Sequence, residues 1–155
     1  MEAAGTAGTI DPGALSMDAI RAGALRGRPV TVLGFARSGI AATRFLVDSG
    51  AIVTIYDGRP TSEFATALAA LEGRSATLAL GPEVEPSAAW AGAALVVTSP
   101  SISPDFPTTE PRLRGALGQL VAARAAGDSA APALISEPDL VLRLCPAPTI
   151  GVTGT

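Results

Sequence analysis

The chain has 155 residues, 48% of them hydrophobic and 16% charged, and a net charge of −3. That is room for about one domain whose core buries roughly 70% of the surface exposed by the unfolded chain, and it excludes disorder throughout. All 11 basic residues are Arg, and there is no Lys and no His, which excludes His bases and ligands, Schiff-base lysines and a complete P-loop lysine; with 14 acidic residues against 11 basic ones, a basic nucleic-acid footprint is also missing. The single Cys145 excludes an intrachain disulfide. The longest nearly unbroken apolar run, 88–97, is half of what a bilayer requires. No charged stretch followed by an apolar one opens the chain. A soluble, cytoplasmic protein without nucleic-acid or membrane partners is expected.

Residues 1–16 are small, polar and aperiodic, and read as a mobile tail. With a short helix over 18–27 they form a leading segment, 1–28. From Pro29 the pattern changes. Apolar runs at 30–33, 52–56, 76–80, 95–98 and 133–136 predict strands. Helices are expected over 38–49, with Ser38 as N-cap and Gly50 just past the end, over 61–72, and over 112–126. The segments 86–91 and 139–144 read as short helices, and 149–152 as a sixth strand.

Continuous apolar strands alternating with helices predict βαβ units and a parallel sheet covered on both faces. The fold class expected is α/β, a doubly wound, mainly parallel five-stranded sheet over 29–136. Ligands of such sheets bind beyond the carboxyl ends of the strands. The loops 34–39, 57–61 and 98–103 are therefore expected to gather at one edge.

Gly34-Phe35-Ala36-Arg37-Ser38-Gly39 lies between the first strand and its helix. A glycine-bearing turn there aims backbone N–H groups and the positive end of the helix at an anion, and phosphate is the natural guest. A ligand-free tight turn is the plain alternative. Arg37 or Arg59 is positioned to add a charge-assisted hydrogen bond. Asp57 ends the second strand, 23 residues after Gly34, where a dinucleotide-binding domain holds a ribose hydroxyl. This raises an NAD(P)-binding domain of an oxidoreductase or regulatory protein as an alternative. Against it, Ala36 replaces the middle glycine of G-x-G-x-x-G. Thr98-Ser99-Pro100-Ser101-Ile102 follows the fourth strand. Gly151-Val152-Thr153-Gly154-Thr155 resembles the start of a phosphate loop without its lysine, so a fragment of a longer ATP-using protein is expected.

In this order the segments resemble the Mur ligases, over residues 29–155. The resemblance rests on 32–60 (VLGFARSGIAATRFLVDSGAIVTIYDGRP), 95–102 (LVVTSPSI), 136–140 (SEPDL) and 147–155 (APTIGVTGT). The family loop G-x-G-x-[ST]-G is matched at Gly34, Ser38 and Gly39. Ser-Pro-Gly-[IV] is represented by Ser99, Pro100, Ser101 and Ile102.

The resemblance implies a Rossmann-like domain over 29–136 that binds the uridine diphosphate of a muramoyl substrate. It also implies, over 137–155, the first helix and strand of a truncated P-loop ATPase domain. The implied activity of the whole protein joins D-glutamate to UDP-N-acetylmuramoyl-L-alanine in peptidoglycan synthesis, with ATP and Mg²⁺ forming an acyl phosphate. No catalytic residue and no cofactor are expected within these 155 residues, and a monomer is expected. By resemblance, 34–39 would hold the diphosphate, Asp57, Gly58 and Arg59 would border uracil and ribose, and Ser99 to Ile102 would close the pocket. Residues 151–155 would begin the ATP loop. The chain departs from the family pattern at Ala36, at Ser101, at Gly58, where many relatives carry a hydroxyl, and in the Pro-Thr-Thr-Glu-Pro segment 107–111.

Overall fold

The computed structural model describes residues 8–152. Five parallel strands form one sheet: β1 (Pro29–Leu33), β2 (Ile52–Asp57), β3 (Thr77–Leu80), β4 (Leu95–Thr98) and β5 (Ala133–Ser136), in the spatial order β3-β2-β1-β4-β5. β1 takes the centre because Val30 to Leu33 can be buried on both faces at once, and all four are. The one polar residue among them, Thr31, donates its hydroxyl to the Ala89 carbonyl at 2.8 Å, so its burial leaves no unpaired donor. At the edge, β3 leaves Leu78 46% exposed. The sheet is the parallel, doubly wound Rossmann-like arrangement that the alternating pattern predicts.

Helices cover both faces. On one side α2 (Arg37–Asp48) and α5 (Glu137–Leu144) enclose Val30, Val32, Leu46, Val53, Ile55, Leu140 and Leu144. On the other, α4 (Pro111–Ala125) and the 3₁₀ turn Pro86–Trp90 enclose Leu33, Tyr56, Trp90, Val96, Leu113 and Leu117. The alternation of β1 is what sends Val32 to one core and Leu33 to the other.

The structure departs from the predicted elements in four segments. Residues 61–72 form a 3₁₀ turn, Thr61–Phe64, and a short α3, Ala65–Ala69, instead of one helix. α3 buries none of its own residues, and Phe64 and Leu71 flank it as anchors, so little packing supports a longer helix. The helix in the leading segment is α1, Met17–Arg21, which gives way to turns. Residues 149–152 lie outside regular structure, with Ile150 91% and Val152 93% exposed, so no sixth strand is seen there. Finally, the described part of the tail, 8–16, is not contact-free. Residues 1–7 lie outside the described residues, but Ile10 and Leu15 are buried, and the Ile10 N–H donates to Ala94 O at 2.9 Å. Two well-spaced apolar side chains are enough to anchor a segment that has no periodic pattern.

α5 likewise contributes Leu140 and Leu144 to the sheet's own core. Its N-cap is Ser136, whose hydroxyl accepts from Asp139 N–H at 3.3 Å, and Arg143 pairs with Asp139 at 3.1 Å one turn on.

Leu15→Ala is expected to lower the unfolding free energy by about 2–5 kcal/mol, the usual range for a buried leucine. Urea titration of this variant, with hydrogen exchange at the Ile10 amide, checks it. Unchanged stability and fast exchange at Ile10 would mean that residues 8–16 do not belong to the core.

Candidate functional site

The register aligns the carboxyl ends of the three central strands, because Leu33 pairs with both Tyr56 and Thr98. The chain leaves the sheet at Gly34, after Asp57 and at Ser99, and the three loops meet there. They are tied directly. Gly34 N–H donates to Tyr56 O at 2.8 Å, and Ser99 N–H donates to Leu33 O at 3.1 Å. The buried Ser99 hydroxyl donates to the same Leu33 carbonyl at 3.0 Å.

Two glycines make this junction possible. Gly34 has φ +94°, and a Cβ there would lie 2.7 Å from Ser99 Oγ. A Cβ on Gly39 would lie 1.7 Å from the Gly34 carbonyl oxygen, far inside contact distance. The first turn of α2 therefore rests directly on the end of β1, and no side chain fits between them. Ala36 takes the N-cap position with no side-chain hydrogen bond, and Ser38, expected as the cap, lies inside the first turn. The opening N–H groups of α2 have neither an intrahelical acceptor nor a side-chain cap, which leaves them available to an anion.

Asp57 is the hub of the second loop. Its Oδ2 accepts from Phe35 N–H at 2.9 Å and Arg59 Nη2 at 3.0 Å; its Oδ1 accepts from Arg59 N–H and Nε, both at 3.1 Å. Burial works to raise the carboxyl's pKa, but the Arg59 side chain and the two backbone N–H groups outweigh it and hold it below the usual carboxylate value. Arg59 also lies 4.9 Å above the Phe64 ring and 3.6 Å from Glu63. Phe64 in turn packs on the buried Phe35, with ring centroids 5.5 Å apart. Arg59 is held by these contacts although its side chain is half exposed, and Arg37 is exposed in the first turn of α2.

A cavity of about 440 Å³ opens at this edge. Of the residues singled out in the sequence, Gly34, Ala36, Asp57, Gly58, Arg59, Ser99, Ser101 and Ile102 line it. Phe35, Arg37, Ser38, Gly39 and Pro100 do not: Phe35 is core, and Gly39 is buried in the first turn of α2 against the end of β1. Gly151 and Val152 are exposed and also do not line the cavity, and Thr153 to Thr155 lie outside the described residues. Ile102 N–H closes a turn on Ser99 O at 3.0 Å. Glu72 is the one described non-glycine residue with positive φ, so Ser101 sits in this turn without the backbone strain that a glycine position would impose.

The sequence reading missed Tyr56, Thr108, Thr109, Glu110 and Leu113, which complete the cavity wall. Glu110 caps α4 by accepting from Arg112 and Leu113 N–H at 3.0 and 2.8 Å, ahead of Pro111 at the first helical position. Thr109 Oγ1 accepts from Ser103 N–H at 3.1 Å and folds the loop back. The Glu-Pro pair is a legible helix start, but its proximity to the cavity is a matter of tertiary structure.

No protein-family profile matches the chain. Curated sequences do. Over 131 residues and 84% of its length, the chain is 36% identical to a UDP-N-acetylmuramoylalanine–D-glutamate ligase of Trichlorobacter lovleyi, covering 26% of that protein. The ligases of the same name from Thermobifida fusca and Anaeromyxobacter dehalogenans are each 38% identical over 84% of the chain, with 25% of each relative covered. The relatives of this chain are Mur ligases. It spans about a quarter of the length of these relatives. Among solved structures, shikimate dehydrogenases from Mycobacterium fortuitum and Mycobacterium tuberculosis align over 82% of the chain, at 18% and 17% identity and TM-scores of 0.49 and 0.48. These two alignments cover 51% and 52% of the dehydrogenase chains.

Gly39→Ala is expected to cost at least about 1–3 kcal/mol, because relief of the clash requires α2 to lift from β1; thermal unfolding measures it. Asp57→Asn is expected to cost about 1–3 kcal/mol at neutral pH through lost charged hydrogen bonds. A carboxyl held low in the fold stabilises above its unfolded pKa of about 3.9, and that stability is lost as pH falls below this value. Acid titrations of wild type and Asp57→Asn are expected to converge below pH of about 3.9, and parallel curves would contradict the Asp57 assignment.

Proposed function

We propose that this chain is the uridine-diphosphate-binding part of a ligase that adds D-glutamate to UDP-N-acetylmuramoyl-L-alanine in peptidoglycan synthesis. The observation that carries the reading is the uncapped start of α2 beside the cavity, in a chain whose relatives bear that ligase's name. The diphosphate would lie against the N–H groups of 36–39. A diphosphate there is accessible to Arg37, while Arg59 stays paired with Asp57. The loop 57–59 and the turn 99–102 would enclose the nucleoside.

The engagement of Asp57 bears on the NAD(P) alternative. A ribose 2′-hydroxyl needs a free carboxylate oxygen, and here both oxygens already accept two hydrogen bonds. A nucleoside diphosphate held mainly through backbone groups makes no such demand.

In the whole ligase, ATP with Mg²⁺ would activate the substrate carboxylate as an acyl phosphate for attack by the D-glutamate amine. Among the described residues no group of three or more His, Cys, Asp or Glu side chains could hold a metal ion, so no step through Mg²⁺ is assigned to them. The part assigned to this chain is to bind and orient the nucleotide end of the substrate. No described helix is long and apolar enough to cross a membrane.

Calorimetric titration tests the reading. UDP is expected to bind, NAD and ATP not to bind, and magnesium-dependent ATP turnover by the purified 155-residue chain is expected to stay at the level of a mock preparation. Binding of NAD without UDP would replace this reading with the dinucleotide one.

A further inference from the structure

Tyr56 is the only tyrosine of the chain. It is 2% exposed, packed in the core beneath α4, yet it lines the cavity. Its hydroxyl makes no hydrogen bond with the described residues and is not sealed off among the buried unpartnered atoms. A buried phenol normally finds a partner, and the cavity that Tyr56 lines is where a ligand could supply one.

Gly58 keeps that direction clear. A Cβ built there would lie 3.3 Å from Tyr56 Oη, tight enough to crowd it. Tyr56 also sits opposite the phosphate end. Its side chain belongs to the core on the α4 face, with Leu33 and Leu113, whereas α2 lies on the other face of the sheet. A ligand whose diphosphate meets the start of α2 and which crosses the strand ends therefore presents its nucleoside to Tyr56. Thr108 and Leu113 line the same cavity.

We infer that the Tyr56 hydroxyl is a specificity-determining contact of this cavity, hydrogen-bonding the nucleoside of a bound nucleoside diphosphate beside the side-chain-free Gly58. The inference rests on the UDP-binding reading above and adds a residue to it. A phenol can donate to a base carbonyl or ribose oxygen and can also accept. An inorganic diphosphate, lacking the nucleoside, makes no use of it.

The test compares wild type with Tyr56→Phe, using UDP and inorganic pyrophosphate as probes. Tyr56→Phe removes one oxygen that has no protein partner, so the ligand-free melting temperature is expected to stay at the wild-type value. UDP affinity is expected to fall about 3- to 10-fold, the effect of one lost neutral hydrogen bond, with pyrophosphate affinity unchanged. A merely structural role would instead move the ligand-free melting temperature or weaken both probes together. Equal UDP affinity in the two proteins overturns the inference and leaves the UDP-binding reading standing. Failure of wild type to bind UDP overturns both.

A second measurement is independent of the variant's folding. With 3-fluorotyrosine at this single tyrosine, the fluorine resonance is expected to shift on saturation with UDP and to stay in place with pyrophosphate. No shift with UDP overturns the inference, as does an equal shift with both.

Discussion

The contact between Gly39 and the carbonyl of Gly34 sets the geometry of everything at this edge of the sheet. A Cβ at position 39 would come within 1.7 Å of that oxygen, so α2 can begin where it does only because the side chain is a hydrogen atom. The contact brings the first turn of α2 onto the end of β1 and places Ala36 at the cavity wall. It also holds the loop short enough for Phe35 to fold back into the core against Phe64. The left-handed backbone of Gly34 serves the same end, turning the chain under Ser99 and Ile102.

The second constraint is electrostatic. Asp57 and Arg59 lie two residues apart, and their fork of hydrogen bonds closes the loop after β2 on itself. The Phe35 N–H, donated to the same carboxylate, binds that loop to the one after β1. One carboxylate thus joins two of the three loops around the cavity, while the serine hydroxyl on Leu33 O joins the third. Such a preformed pocket gives a ligand fixed dipoles to meet and requires little ordering on binding.

Several features were legible in the residues alone. Continuous apolar runs of four or five residues, set between helical stretches, determined the parallel sheet, since only strands covered on both faces read that way. β4 and β5 fall on the ranges that the pattern predicts. The glycines at 34 and 39 marked a strand-to-helix turn, and the Ser-Pro turn after β4 marked a second loop on the same edge. A parallel sheet makes that shared edge unavoidable, because every strand must end on the same side.

Other features depended on which residues met across the fold. Asp57 read as a candidate sugar ligand and Arg59 as a candidate phosphate contact, and the four hydrogen bonds that tie Asp57 to Phe35 and Arg59 could not be read from spacing. Ile10 and Leu15 lie in a stretch with no period, so their burial against the sheet could not be read from spacing. Tyr56 looked like one more apolar strand residue; its hydroxyl acquires meaning only beside Gly58 and under the loop before α4. By itself the sequence determined the sheet, its order of elements and the edge where the three loops gather, because these follow from local periodicity and chain direction. Tertiary structure alone decided which polar atoms are spent on the protein and which are left for a ligand, because hydrogen-bond partners come from residues distant in sequence.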